Sequence, residues 1–120
     1  MSQEKTFSVD VLEIHSGDDL ILMVDLGVDG LHKRVRARLK GVDTPSAFKA
    51  TKDTEAGAAR DMLRELTSGK RCWIELSAAG KGGWIVTLFT ENRVTGTVTN
   101  VNDTLISHGY VYVGRQEIVA

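Results

Sequence analysis

Cysteine occurs once in the 120 residues, at Cys72, so a disulfide within the chain is excluded. A lone thiol in an alternating apolar stretch is expected to pack, and to do so in a reducing compartment. No run approaches the roughly 18 apolar residues of a membrane span. The opening Met1-Ser2-Gln3-Glu4-Lys5-Thr6 also lacks a basic segment followed by an apolar one. The expectation is a cytoplasmic protein that does not meet a membrane. Neither sign of charge dominates: 15 lysines and arginines face 16 acids, for a formal net charge of −1, which excludes a histone-like or tail-like basic protein. Any affinity for nucleic acid must then be local. No cysteine or histidine spacing resembles a zinc site, and His15 and His108 read as turn and helix-end residues. Proline is found once, at Pro45, and nothing marks a linker. One domain is expected, over residues 7–113, with residues 1–6 as a disordered start and 114–120 as a tail.

What is present is a run of positive charge that leads to an acid. Lys33-Arg34-Val35-Arg36-Ala37-Arg38-Leu39-Lys40 alternates strictly. In a period-2 element Arg34, Arg36, Arg38 and Lys40 therefore leave one face, and Val35, Ala37 and Leu39 the other. Gly41-Val42-Asp43-Thr44-Pro45 follows. Proline removes a donor and pushes the residue before it out of the helical region, so the strand must end near Asp43 and Thr44 with Asp43 at its carboxyl end.

The rest of the chain supplies a frame for that strand. Residues 7–14 alternate through Phe7, Val9 and Val11 and then shift register at Leu12 and Ile14, which predicts a strand with a bulge. His15-Ser16-Gly17-Asp18-Asp19 is a turn by composition and puts two acids before the strand Leu20-Ile21-Leu22-Met23-Val24. Gly27-Val28-Asp29-Gly30 returns the chain into the basic strand, completing a three-stranded meander. Residues 46–52 lack periodicity and read as a loop. A helix follows, capped by Asp53 or Thr54, with Glu55 in its first turn, Ala56, Ala59, Met62, Leu63 and Leu66 on one face, and a stop at Gly69. Residues 71–77 and 84–89 form a hairpin across Gly80-Lys81-Gly82-Gly83; Lys81 among those glycines is too weak a signal for a phosphate loop. A short strand within 95–99 and a short helix capped by Asn100 or Asn102 come next, ending near Gly109, and Tyr110-Val111-Tyr112-Val113 is a last strand. The fold class expected is α+β, mainly β: a five-stranded OB-fold Greek-key barrel with one main helix and one short one.

Four blocks, Ser16-Gly17-Asp18-Asp19, Arg38-Leu39-Lys40-Gly41-Val42-Asp43-Thr44-Pro45, the helix ending at Gly69-Lys70, and Val101-Asn102-Asp103-Thr104-Leu105 closing at Gly109, together resemble the staphylococcal nuclease (thermonuclease-like) family over residues 8–113. Their order and spacing are more specific than any one of them. The resemblance implies an OB-fold barrel that holds one Ca²⁺ and hydrolyses phosphodiester bonds of DNA or RNA. Position by position, it implies Asp18 and Asp43 as metal carboxylates, the Thr44 backbone carbonyl as a further ligand, and Arg38 as a contact to the scissile phosphate. A hard cation wants such oxygens, and a phosphate wants a guanidinium. Three positions depart from the family. Ser46 stands where the family has a glutamate base, Trp84 where it has a second arginine, and Asp19 where a hydroxyl residue is usual. Serine cannot act as a base near neutral pH, and tryptophan offers one uncharged N–H.

Each candidate has an ordinary structural alternative. Acids at turns usually solvate and cap, and a charged strand face can simply protect an edge. Against that, four cations on one face favour phosphate, so Arg34, Arg36 and Lys40 join Arg38 as expected nucleic-acid contacts. Trp84 is expected as a barrel or rim residue, with base stacking as its other reading. Two functional classes follow: a nuclease homologue that binds nucleic acid or protein with little or no hydrolysis, and an active Ca²⁺-dependent phosphodiesterase whose base is Asp53 or Glu55. Loss of a base and of a charge-stabilising donor would each cost on the order of 10²-fold, which favours the first. The family's long third helix has no counterpart in residues 114–120, so a homodimer or a protein partner is expected through the C-terminal segment and the face beside the helix of residues 55–67.

Overall fold

Alternation decides where the strands bury their side chains. A computed structural model describes residues 5–43 and 55–110. Strand β1 (Lys5–Ile14) turns at residues 15–18 into β2 (Asp19–Asp25), and β3 (His32–Leu39) follows. Val9, Leu20, Leu22, Val24, Val35, Ala37 and Leu39 all point inward and are buried. The pairing of β1 with β2 slips between Val11 and Glu13. Leu12 is the extra residue of that bulge and is exposed, and the slip lets both Val11 and Ile14 pack on the core.

After β3 the chain enters helix α1 (Glu55–Thr67), then β4 (Arg71–Gly80), β5 (Gly83–Glu91), β6 (Val98–Asn100) and helix α2 (Val101–Ser107). The expected caps Asp53 and Thr54 lie outside the described residues. Ala59 and Leu63 of α1 are fully buried, with Met62 and Leu66 packed beside them. The helix ends as its sequence demands: Gly69 takes φ 71°, and the Lys70 ammonium donates to the Leu66 carbonyl at 3.3 Å. Cys72 is buried in the core cluster; burial, reinforced by the Asp10 charge, raises its thiol pKa against the pull of Arg93 and Lys70.

The sheet runs β3-β2-β1-β4-β5-β6, and a parallel pairing of β3 with β5 closes the first five of these strands into a barrel. This is the OB-type arrangement, α+β with two helices. Closure brings backbones very near one another. A Cβ on Gly83, at φ 120°, would lie 2.5 Å from the Arg36 carbonyl oxygen, so only glycine fits where β5 crosses β3.

The sixth strand is shorter and later than the 95–99 expected from β-branched residues. Asn92 explains the difference: its side-chain oxygen accepts from Val94 N at 2.9 Å and Thr95 N at 3.0 Å, and its own N–H donates to the Thr97 carbonyl. Residues 93–97 are thus spent on a hairpin turn, and pairing with β5 starts at Val98. Of the last expected strand only Tyr110 is described, and the C-terminal segment proposed to meet a partner lies beyond it. Among the described residues no helix is long and apolar enough to cross a membrane.

Candidate functional site

The charged face forms as the alternation requires: Arg34, Arg36, Arg38 and Lys40 are exposed, while the residues between them are buried. Antiparallel register then sets Asp19 opposite Arg38, Ile21 opposite Arg36 and Met23 opposite Arg34. The side chains do not pair straight across. Arg36 reaches along the strand to Asp19 and grips it with two hydrogen bonds, Nε to Oδ1 at 3.1 Å and a terminal nitrogen to Oδ2 at 2.6 Å. Arg34 crosses to β1 and donates to Glu13 at 2.8 Å, and His15 lies 3.2 Å from the other Glu13 oxygen. These acids on β1 and β2 therefore answer two of the four cations.

Arg38 is held far more loosely. Its nearest carboxylate oxygen among the described residues, Oδ2 of Asp18, is 3.9 Å away. Lys40 makes no ion pair among the described residues. Asp18 is buried, with Oδ1 accepting a 2.8 Å hydrogen bond from the Ser16 hydroxyl, and its backbone carbonyl accepts from Leu39 N at 3.0 Å. That main-chain bond docks the β1–β2 turn on the end of β3, four residues before the exposed Asp43. Asp18 and Arg38 therefore meet where β3 ends, and Lys40 and the exposed Asp43 follow in the chain from that point.

Asp19, the departure from the family pattern, is almost wholly buried at the start of β2. Burial pushes its carboxyl pKa up, but the Arg36 hydrogen bond and the charges of Arg36, Arg38 and His15 outweigh burial and hold it below the ordinary value. The same contact raises the Arg36 guanidinium. The pair is thus fully ionised at neutral pH and is a structural pair first.

Trp84 does not share the outer face with the arginines. It stands in register with inward-facing Ala37, packs on the core and meets Phe7 with ring centroids 5.9 Å apart at 46°. An outer-face aromatic pair does exist elsewhere, Trp73 with Phe89, stacked at 5.7 Å and 13° across β4 and β5. Thr44, Ser46, Asp53 and the side chain of Glu55 lie outside the described residues.

One residue of the site region was assigned another part by sequence reasoning. Asn100 is the cap of α2, accepting from Asp103 N at 3.0 Å; Asn102 is buried and does something different. Its amide nitrogen donates to the carbonyls of Lys40 at 2.9 Å and Val86 at 3.1 Å, and its oxygen accepts from Leu88 N at 2.9 Å. The signal was a polar residue in the first turn of a helix, two places past the better cap Asn100 and inside one of the four blocks that carry the resemblance.

The chain matches no protein-family model and no curated protein. What the arrangement can do must be read from its own chemistry. Of the carboxylates expected to hold a hard cation, Asp18 is buried and Asp43 is exposed. Among the described residues no group of three or more histidines, cysteines and acids is placed to hold a metal.

Proposed function

We propose that this chain is a nuclease-like OB barrel that binds a nucleic-acid phosphate through Arg38 and Lys40 and has little or no capacity to hydrolyse it. The observation that supports the reading is the unequal commitment of the four cations. Arg34 and Arg36 are bonded to Glu13 and Asp19, whereas Arg38 touches its acid only at 3.9 Å and Lys40 has none among the described residues. A guanidinium and an ammonium at a strand end can take one or two phosphates without first breaking a close ion pair. A longer track would have to displace Asp19 and Glu13.

Hydrolysis needs a base and charge stabilisation, and the residues at the corresponding positions are Ser46 and the core-packed Trp84. Asp18, Asp43 and the Thr44 carbonyl are the groups proposed to hold Ca²⁺, with an affinity of about 0.1–1 mM given two carboxylates. A bound Ca²⁺ would supply a Lewis acid for the phosphoryl oxygen. Arg38 would bind and orient the phosphate beside it.

Fluorescence anisotropy of a labelled single-stranded oligonucleotide, titrated across salt, tests the binding. Two phosphate contacts predict that log K falls against log salt with a slope of about −1 to −2. A salt-independent complex, or none, would contradict the reading and point to a protein ligand. Rapid Ca²⁺-dependent cleavage of the same oligonucleotide, abolished by Asp43→Ala, would instead establish an active enzyme with a substitute base.

A further inference from the structure

Helix α2 lies along the turn that carries Asp43 and touches it at three successive places. Near its start, Asn102 donates to the Lys40 carbonyl. In its last turn, Ile106 Cδ1 sits 3.6 Å from where a Cβ on Gly41 would stand, so the turn rests on this side chain. Just past its end, the Tyr110 carbonyl accepts from Asp43 N at 3.2 Å, while Tyr110 N itself donates back to the Leu105 carbonyl at 3.1 Å. Among the described residues the turn is also tied by Lys40 N, which donates to the Val86 carbonyl, by Val42 N, which donates to the Leu39 carbonyl, and by the Val42 side chain, which is buried in the core. Residues 40–43 are therefore aligned on α2 from one end to the other.

Asn102 is the polar centre of this cradle. Its amide nitrogen joins the last carbonyl of the β3 line to β5, and its oxygen holds β5 a second time through Leu88 N. All three bonds run to main chain, so Asn102 fixes backbone positions and leaves the direction of every site side chain to that backbone. A buried amide with every bond made is also rigid, since any rotation orphans a donor or an acceptor in an apolar setting.

We propose that Asn102 is a positioning residue for the Asp18–Asp43 site, setting the place of the Asp43 carboxylate through Lys40 and α2; this rests on the reading of that site given above. Asn102 touches no ligand. It acts as the outer partners of metal-ligating groups do, whose removal weakens affinity about 10- to 100-fold.

The test compares Asn102→Ala with Ile74→Val, a core change on β4 away from the turn, using two readouts. Amide hydrogen exchange reports on Asp43 N–H and Lys40 N–H. Calorimetric titration with Ca²⁺ alone reports on the site. Asn102→Ala should lower protection at Asp43 well beyond the global loss of stability and weaken Ca²⁺ at least tenfold, with Ile74→Val leaving both at the level its stability predicts. Equal behaviour of the two variants would overturn the proposal. If the unaltered protein takes up no Ca²⁺, the metal reading of the site fails, and the exchange readout still decides whether Asn102 positions Asp43. If Asn102→Ala does not fold, the unaltered protein decides: the Asp43 and Tyr110 amides should open together, with one free energy, and separate opening would refute the cradle.

Discussion

Strand β3 is held on its two sides by polar groups of opposite kinds. Outside, arginines that are more than half exposed meet carboxylates across β1 and β2. Inside, one neutral amide, Asn102, is 3% exposed and bonds only to main chain. The outer set carries far more charge and the inner set far more stability, because water and salt screen the first and cannot reach the second. On the proposed reading, the cations that would meet phosphate and the amide that fixes the main chain lie on opposite sides of one strand. An arginine outside can change partners, whereas the amide inside cannot.

The largest effect belongs to the inner side. Gly83→Ala should cost about 3 kcal/mol or more, because the added methyl meets the Arg36 carbonyl at a backbone angle that side chains rarely adopt. Asn102→Ala should cost about 2–4 kcal/mol, leaving the buried Leu88 N and the part-buried Lys40 carbonyl without the bonds Asn102 gives them. Denaturant unfolding checks both; a loss below 1 kcal/mol for either would mean that barrel closure is looser than described.

The outer side should respond to pH before it responds to truncation. The Asp19 carboxyl is depressed in the folded state, so its pair with Arg36 contributes stability that is present above the unfolded carboxylate pKa of about 3.9 and lost as pH falls through the lower folded value. Unfolding curves between pH 5 and 2 should show this acid limb, and Asp19→Asn should flatten it. Smaller still is Arg34→Ala, which removes an exposed pair with Glu13 and should change stability by no more than about 1 kcal/mol.

How much of this was legible in the sequence depends on the range of the interaction. The strands and their buried faces were, since period 2 is written locally: the faces of residues 33–40 follow from alternation alone, and so does the β1 bulge. The OB-type closure was legible from element order. The partners were not. Whether Arg36 is free or bonded to Asp19 depends on a register that sets Arg38, not Arg36, opposite that acid. Asn100 or Asn102 could cap α2 and Asn100 does, but the part Asn102 plays instead was hidden, because its partners are 14, 16 and 62 residues away in the chain. Trp84 read as a barrel or rim residue with base stacking as the other reading, and the β3–β5 pairing settles it on the inward side with Ala37. The extra strand was placed early, because β-branched residues around Gly96 were weighed without the turn that Asn92 builds.

The measurement closest to the central claim compares two neighbouring arginines in one assay. Oligonucleotide affinity is measured across salt for the unaltered protein, Arg38→Ala and Arg36→Ala. The loosely held Arg38 should account for about one unit in the log–log slope, whereas Arg36, bonded twice to Asp19, should change it by much less than one. Equal losses from the two variants, or a larger one from Arg36→Ala, would contradict the division between a committed and an available cation on which the proposed function stands.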